Sequence, residues 1–278
     1  MSSVVISDTE YRLLRDLIRE RFGINYDDGK QFLLQSRLQT RLIKTRTADF
    51  MAYYRYLLSD LQRDAEWDEL ASVLSNNETY FFRERSQLDV LAQEVVSEAL
   101  QGAGPLRIWS AACSTGEEPY SVAMTLLDGH RIAPAAARIK AGDLSPRAVE
   151  KCAAGFYREL SFRATPPEVI GRYFKPFEGG FFITDEVKRM VEFSRINLLD
   201  ERTYAAVGPQ DVVFCRNVLI YFDKATQKRV VESFARVLRP GGFLFLGHAE
   251  SIIRLTGLYE PFVTAKAVYY RRRDDAHH

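Results

Sequence analysis

From residue 106 onward, short apolar runs alternate with helical patterns, and this rhythm leaves the chain few folds to choose from. Strand candidates lie at 106–109, 138–142, 191–196, 211–215 and 243–247, with a last one near 266–271. Helical patterns lie between them at 119–128, 145–153, about 166–173 and 224–238. Parallel neighbours need a crossover, so the alternation predicts an α/β fold: a doubly wound, mostly parallel, Rossmann-like sheet covered on both faces. The segment 173–193 breaks the rhythm. There Glu178-Gly179-Gly180 precedes Phe181-Phe182-Ile183-Thr184, a hairpin signal that predicts a small antiparallel β insertion.

No alternating pattern precedes residue 106, and residues 8 to about 84 read as consecutive helices. Asp8 is a candidate cap for the first, whose apolar positions Tyr11, Leu14, Leu17, Ile18 and Phe22 keep a helical period until Gly23 ends it. Further helices are expected from about Lys30 to Lys44, Ala48 to Asp60 and Glu66 to about Ser75. A charged helix from roughly Arg85 to Leu100 leads to the breaker Gly102-Ala103-Gly104-Pro105. The expected organisation is an all-helical N-terminal domain (1–84), a linker helix and breaker (85–105), and an α/β domain (106–278).

The turn after the first strand limits what the sheet can bind. Leu106-Arg107-Ile108-Trp109 runs into Ser110, Ala111, Ala112, Cys113, Ser114, Thr115 and Gly116, and a helical pattern follows around Pro119. Strand, small-residue turn and helix start form the crevice where such sheets receive nucleotide-like ligands. The helix start carries Glu117 and Glu118, which would repel a pyrophosphate. They suit a ligand with positive charge and hydroxyls, such as S-adenosylmethionine (SAM). Asp143, ending the second strand candidate, either accepts hydrogen bonds from a ribose diol or caps the next helix. Its spacing after the first turn favours the diol.

The run Asp211 to Phe222 is a buried strand reaching an exposed tip, where Arg216 and Asn217 come at the ligand-binding edge and Tyr221 either joins them or lids the core. Cys215 reads as a small core residue, since no His stands nearby to activate it. Leu238-Arg239-Pro240-Gly241-Gly242 is a helix end and tight turn before another buried strand. At the edge of the helical domain, Asn76-Asn77-Glu78-Thr79-Tyr80-Phe81-Phe82-Arg83 either caps core aromatics or presents polar groups to a ligand, and the residues alone leave both open. On the second helix Lys30, Arg37, Arg41 and Lys44 fall within roughly 60° of each other, with no acid between Gly29 and Ala48. An unpaired basic stripe is either a solvated face or a docking surface for an acidic partner.

Taken together, Asn76 to Glu84, Trp109 to Ser121, Asp143, Arg195 to Leu199, Cys215 to Phe222 and Leu238 to Leu244 resemble the CheR family of chemotaxis receptor methyltransferases, in family order over nearly the whole chain. The resemblance implies a class I SAM-methyltransferase domain behind a helical receptor-docking domain. The implied reaction is methyl transfer from SAM, leaving S-adenosylhomocysteine (SAH), to glutamate side chains of a chemoreceptor's cytoplasmic helical bundle. Carried over by motif, the cofactor contacts are Asn77, Thr79, Arg83, Glu118, Asp143, Asn197, Leu198, Arg216 and Asn217. Arg83 and Tyr221 would position the acceptor carboxylate, and Lys30, Arg37, Arg41 and Lys44 would dock the receptor. The insertion is short around Glu178-Gly179-Gly180, so docking to the bundle is expected without a receptor C-terminal tether peptide.

Composition narrows the alternatives. A net charge of +1 gives no global drive towards nucleic acid, and three cysteines without a Cys-x-x-Cys pair argue for a reducing compartment with neither disulfides nor a metal site. No apolar run approaches membrane-spanning length and the N-terminus lacks signal-peptide features, so a cytoplasmic protein without membrane insertion is expected. His277-His278 read as a tag remnant. A nicotinamide dehydrogenase is disfavoured because the first turn lacks Gly-x-Gly-x-x-Gly. A SAM methyltransferase with another substrate, or a non-catalytic SAM-sensing adaptor, remains the competing reading.

Overall fold

Ser7, one residue before the expected Asp8, starts the first helix. Its hydroxyl accepts from Glu10 N while the Glu10 carboxylate takes the Ser7 N–H, a reciprocal cap. This helix, α1 (Asp8–Phe22), ends at Gly23 in the left-handed region with φ 77°. Helices α2 (Gln31–Thr45), α3 (Phe50–Leu58) and α4 (Arg63–Leu74) follow. Their apolar faces meet in one core that includes Tyr11, Leu14, Ile18, Leu34, Leu38, Tyr53, Trp67 and Leu70. The computed structural model describes residues 4–59, 63–99, 104–129, 132–265 and 267–274. The expected helix ends at Asp60 and Leu100, the Gly102-Ala103 part of the breaker and His277-His278 lie outside these residues.

The basic stripe on α2 is not what its spacing implied. Arg41 is only 7% exposed: its Nε and Nη2 hold Glu66 at 3.0 and 2.6 Å, and its Nη1 holds Glu69 at 2.9 Å. Tyr53 also donates to Glu66 at 2.6 Å, and burial together with that carboxylate pushes its phenol up and keeps it neutral. The acids come from α4, so a search for partners within α2 could not find them. Arg41 therefore drops out of the docking surface. Arg37 is part-buried and donates to Leu74 O at the end of α4. Lys30, paired with Asp27 at 3.1 Å, and Lys44 remain exposed.

The expected linker helix is α5 (Arg85–Val90) and α6 (Val96–Ala99) joined by a π-turn at Leu91–Val95. The strands are β1 (Leu106–Ala111), β2 (Ala137–Asp143), β3 (Phe156–Tyr157), β4 (Phe174–Phe177), β5 (Gly180–Ile183), β6 (Val191–Arg195), β7 (Gln210–Cys215), β8 (Leu238–Leu246), β9 (Tyr259–Val263) and β10 (Val268–Arg272). Between them lie helices α7 (Glu117–Gly129), α8 (Pro146–Ala154), α9 (Pro167–Tyr173), α10 (Asp185–Lys188), α11 (Glu201–Val207) and α12 (Lys224–Val237). Seven strands form one sheet in the order β6-β2-β1-β7-β8-β10-β9. The first five are mutually parallel, and β10 runs antiparallel to both its neighbours. Alternate residues feed opposite layers: Ile108, Val212 and Phe214 join one core, Trp109, Val213 and Cys215 the other.

The insertion is a separate antiparallel sheet, β3-β5-β4, whose β4–β5 hairpin turns on Glu178-Gly179 with Gly179 at φ 75°. Its third strand, Phe156–Tyr157, lies outside the expected 173–193, and Val191 already belongs to the main sheet. The helical module sits on the C-terminal edge of the main sheet. Ile24 bridges Phe222, Asn25 N donates to Tyr221 O at 2.8 Å, and Asn197 Nδ2 donates to Arg21 O at 2.8 Å. Arg147 and Arg195 pair with Glu69 and Asp68 of α4.

Arg41→Ala leaves the Glu66 carboxylate buried without its cation, which is expected to cost about 3–5 kcal/mol. Lys44→Ala is expected to cost less than about 0.5 kcal/mol. Urea unfolding followed by Trp67 fluorescence compares the two, and equal midpoints would refute the assignment of Arg41 to the core.

Candidate active site

Strand order reverses between β1 and β7, so the C-terminal ends of these two strands open the crevice in which doubly wound sheets bind ligands. The turn leaving β1 is wound tightly: Ala112, Ser114 and Gly116 all take left-handed conformations, with φ of 61°, 52° and 96°. Gly116 has no freedom to be anything larger, because a Cβ there would lie 2.9 Å from Tyr157 Oη and 3.0 Å from Cys152 Sγ. Asp143 fastens the turn from β2, accepting from Ser114 N at 2.8 Å and from Ser145 N at 2.9 Å. Ser145, rather than Asp143, is the cap of α8. The Asp143 carboxylate keeps lone pairs free for further donors.

Glu117 and Glu118 part company. Adjacent helical residues point about 100° apart, so the two cannot share one crevice. Glu117 turns into the protein, where it accepts from Thr115 Oγ1 at 2.7 Å and Ser161 Oγ at 3.0 Å, and burial pushes its carboxyl up. Glu118 faces the cleft, accepting from Ser110 Oγ at 2.7 Å and from Arg216 Nε at 2.6 Å. The Arg216 side chain is only 3% exposed and also donates to Arg83 O at 2.8 Å. Cys215 is buried and free, with its thiol pushed up by burial, as a core residue should be.

A cavity of about 530 Å³ at this crevice brings the separate motifs together, in the size range that holds cofactors. Asn77, Thr79 and Arg83 line it from the segment after α4; Glu118 from the start of α7; Asp143, Asn197 and Leu198 from the ends of β2 and β6; Arg216, Asn217 and Tyr221 from the loop after β7. Lys30 and Arg37 line it too, while Arg41 and Lys44 do not. Arg83 Nη1 donates to Glu78 O at 2.9 Å, and among the described residues its other N–H groups have no protein acceptor. Tyr221 Oη accepts from Asn76 Nδ2 at 2.9 Å, which leaves the phenolic proton free to donate. Asn197 is held by the protein: its carbonyl accepts from Leu199 N while its amide reaches Arg21 O. Sequence reasoning gave Asn76, the partner of Tyr221, no role of its own, and passed over Gln87, which donates to Leu246 O at 2.7 Å beside Arg216.

A larger groove of about 1170 Å³ runs between the helical module and the β6 edge. Arg202 and Asp200 pair within it at 2.7 Å, and it lies away from the strand-order reversal. The smaller cavity is the better candidate. Its donor set fits SAM: Asp143 is placed for hydroxyls, Glu118 adds negative charge, and backbone rather than bulky side chains forms the turn.

Burial pushes the Asp143 carboxyl above its ordinary range, opposed by the N–H groups of Ser145 and Ser114. Protonation on acidification therefore begins above the usual Asp value of about 4 and removes an acceptor from ligand and turn alike. SAH affinity measured by calorimetry is expected to fall as pH drops into that range. Asp143→Asn should bind roughly tenfold more weakly at neutral pH and show no such decline; an identical decline in the variant would clear Asp143 of the role.

Residues 9–75 match the family described as the CheR methyltransferase all-alpha domain, and residues 77–268 match its SAM binding domain. The chain is 38% identical to the chemotaxis protein methyltransferase of Salmonella typhimurium over 277 residues, covering 98% of this chain and 93% of that one. It is likewise 38% identical to that of Escherichia coli over 256 residues, covering 91% and 87%. A helical module on a SAM-binding sheet, matched from end to end in this way, establishes that the chain belongs to the CheR family of chemotaxis methyltransferases and is a SAM-dependent methyltransferase.

Proposed function

We propose that this protein transfers the methyl group of SAM to glutamate carboxylates in the cytoplasmic helical bundle of chemoreceptors, forming methyl esters that serve sensory adaptation, and that it works in the cytoplasm. The observation that carries this reading is that Arg83 and Tyr221 line one cavity, the first from the helical side and the second from the sheet edge. A cation and a neutral donor in one cavity suit an incoming carboxylate. The relatives' printed name, chemotaxis protein methyltransferase, supports the same acceptor class.

The chemistry asks little of acid–base groups. Bound SAM supplies an electrophilic methyl on a sulfonium, and glutamate is already ionised at neutral pH. Arg83 orients one carboxylate oxygen, while the Tyr221 proton, left free by the Asn76 contact, fixes the other. Glu118 and Asp143 hold the cationic and hydroxyl-bearing parts of the donor. Joining an anion to a cation destroys both charges, so bulk water, which stabilises both, must be kept out. The Ile24–Phe222 bridge and the Asn25 N–H on Tyr221 O hold the helical module at the edge of the cleft, where it would help exclude water and align donor and acceptor.

Lys30 and Arg37, at the cavity edge, are the parts of the basic stripe best placed to meet an acidic receptor helix, with exposed Lys44 further along α2. The two-residue turn of the β4–β5 hairpin supports docking to the bundle without a tail-peptide tether. Tight calorimetric binding of an isolated receptor tail peptide would overturn that part.

Arg83→Ala is expected to bind SAH within about threefold of wild type yet lose roughly 100-fold or more in kcat, because it removes orientation rather than the donor site. Tyr221→Phe should lose about tenfold, the worth of one hydrogen bond. Labelled SAM, a panel of receptor cytoplasmic domains and mapping of base-labile methyl esters give the readout. Unchanged turnover in Arg83→Ala removes it from the mechanism, and label on residues other than glutamate refutes the substrate.

A further inference from the structure

The loop after β7 carries Asn217 and Tyr221, and it takes an improbable path. Asn217 sits in the left-handed region at φ 59°, and the backbone N–H groups of Asn217, Val218 and Ile220, at the entry to the short 3-10 turn Leu219–Tyr221, converge on one point. That point is the carboxylate of Glu250, from a different loop. Glu250 Oε2 accepts from Asn217 N at 2.9 Å and from Gly247 N at 2.7 Å. Its Oε1 accepts from Val218 N at 2.9 Å and Ile220 N at 3.3 Å. A Cβ at Gly247 would lie 2.6 Å from Asn217 Nδ2 and 2.8 Å from Asn217 N, so only glycine lets the two loops approach.

Converging backbone N–H groups form a concave site for an anion. Here the chain's own carboxylate occupies it, accepting from two segments about thirty residues apart. No neutral side chain replaces it. A glutamine offers one acceptor oxygen and turns its own donors on the remaining N–H groups. Glu250 Oε1 meets the N–H groups where the 3-10 turn Leu219–Tyr221 begins, and among the described residues the Glu250 carboxylate pairs with no cation.

We propose that Glu250 is a positioning residue for methyl transfer: by filling this nest of four N–H groups it holds the Asn217–Tyr221 loop in the shape that receives the cofactor and presents the Tyr221 hydroxyl. The inference rests on Asn217 and Tyr221 being cleft residues. It acts through them, since Glu250 itself does not line the cavity.

The test compares wild type, Glu250→Gln and Glu250→Ala by SAH calorimetry, by methyl transfer to a receptor cytoplasmic domain and by thermal unfolding. The isosteric Glu250→Gln is expected to raise the SAH dissociation constant and lower kcat by about tenfold or more each, with the KM for the receptor domain within threefold of wild type. In Glu250→Ala the emptied nest should accept formate, which restores SAH binding and turnover, whereas formamide and sodium chloride at equal concentration do not. A purely structural contribution would lower the unfolding temperature and leave the constants of the folded fraction unchanged, without formate rescue; that result overturns the proposal. Wild-type SAH binding in both variants overturns it while leaving the cleft assignment intact. Failure of the wild-type protein to bind SAH takes down both.

Discussion

The cleft is built around one buried ion pair. Arg216 leaves the end of β7 and meets Glu118 at the start of α7, so the pair ties together the two elements whose separation defines the crevice. The same guanidinium reaches Arg83 O, which brings in the segment joining the helical module to the sheet. Burying two charges is expensive, and on stability alone a pair of apolar residues would often serve as well or better. An apolar pair, however, would not fix three chain segments in one register. Loss of either charge would leave the other stranded, so the pair enforces a single arrangement of the walls.

Left-handed residues ring the same crevice. Phe82 and Glu84 precede α5, Ala112 and Ser114 form the turn after β1, and Asn217 opens the loop after β7. Side-chain-bearing residues adopt this conformation only when their surroundings insist on it. Here the surroundings are identifiable: Ser121 Oγ takes the Phe82 N–H, and Asp143 takes that of Ser114. Ala112, Ser114 and Asn217 line the cavity themselves, and Phe82 and Glu84 flank Arg83, which also lines it.

Much of this was legible in the sequence, for a physical reason. Each buried strand is a local apolar run, so the alternation after residue 106 announced a parallel sheet and its crevice, and the helical periodicity of α1 announced its buried face. What escaped notice depends on partners distant in sequence. Strand β9, with Pro261 and exposed Glu260 and Val263, exists through its pairing with β10 and has no pattern of its own. Arg41 looked unpaired because Glu66 and Glu69 lie two helices further on. Glu117 looked like a ligand group because a linear string hides the angle between neighbouring helical residues. The ten candidate cleft residues converged on one cavity from five parts of the chain, which motif order could anticipate and local physics could not.

The charges thus divide by burial. Arg41–Glu66–Tyr53 and Arg216–Glu118 are enclosed and set shape, whereas Lys30 and Lys44 remain in solvent, where screening makes any single pair worth little. An exposed cation gains value when a partner surface excludes water around it. A methyltransferase joining a carboxylate to a sulfonium has the same need at its centre, since water opposes the loss of both charges. On the proposed function, docking and catalysis draw on one event: an acidic helix laid across α2 and the cavity mouth would dehydrate the surface lysines and cover the cleft behind its own glutamate. On that same proposal, a helical module placed over the strand ends would join the two steps in a single closure.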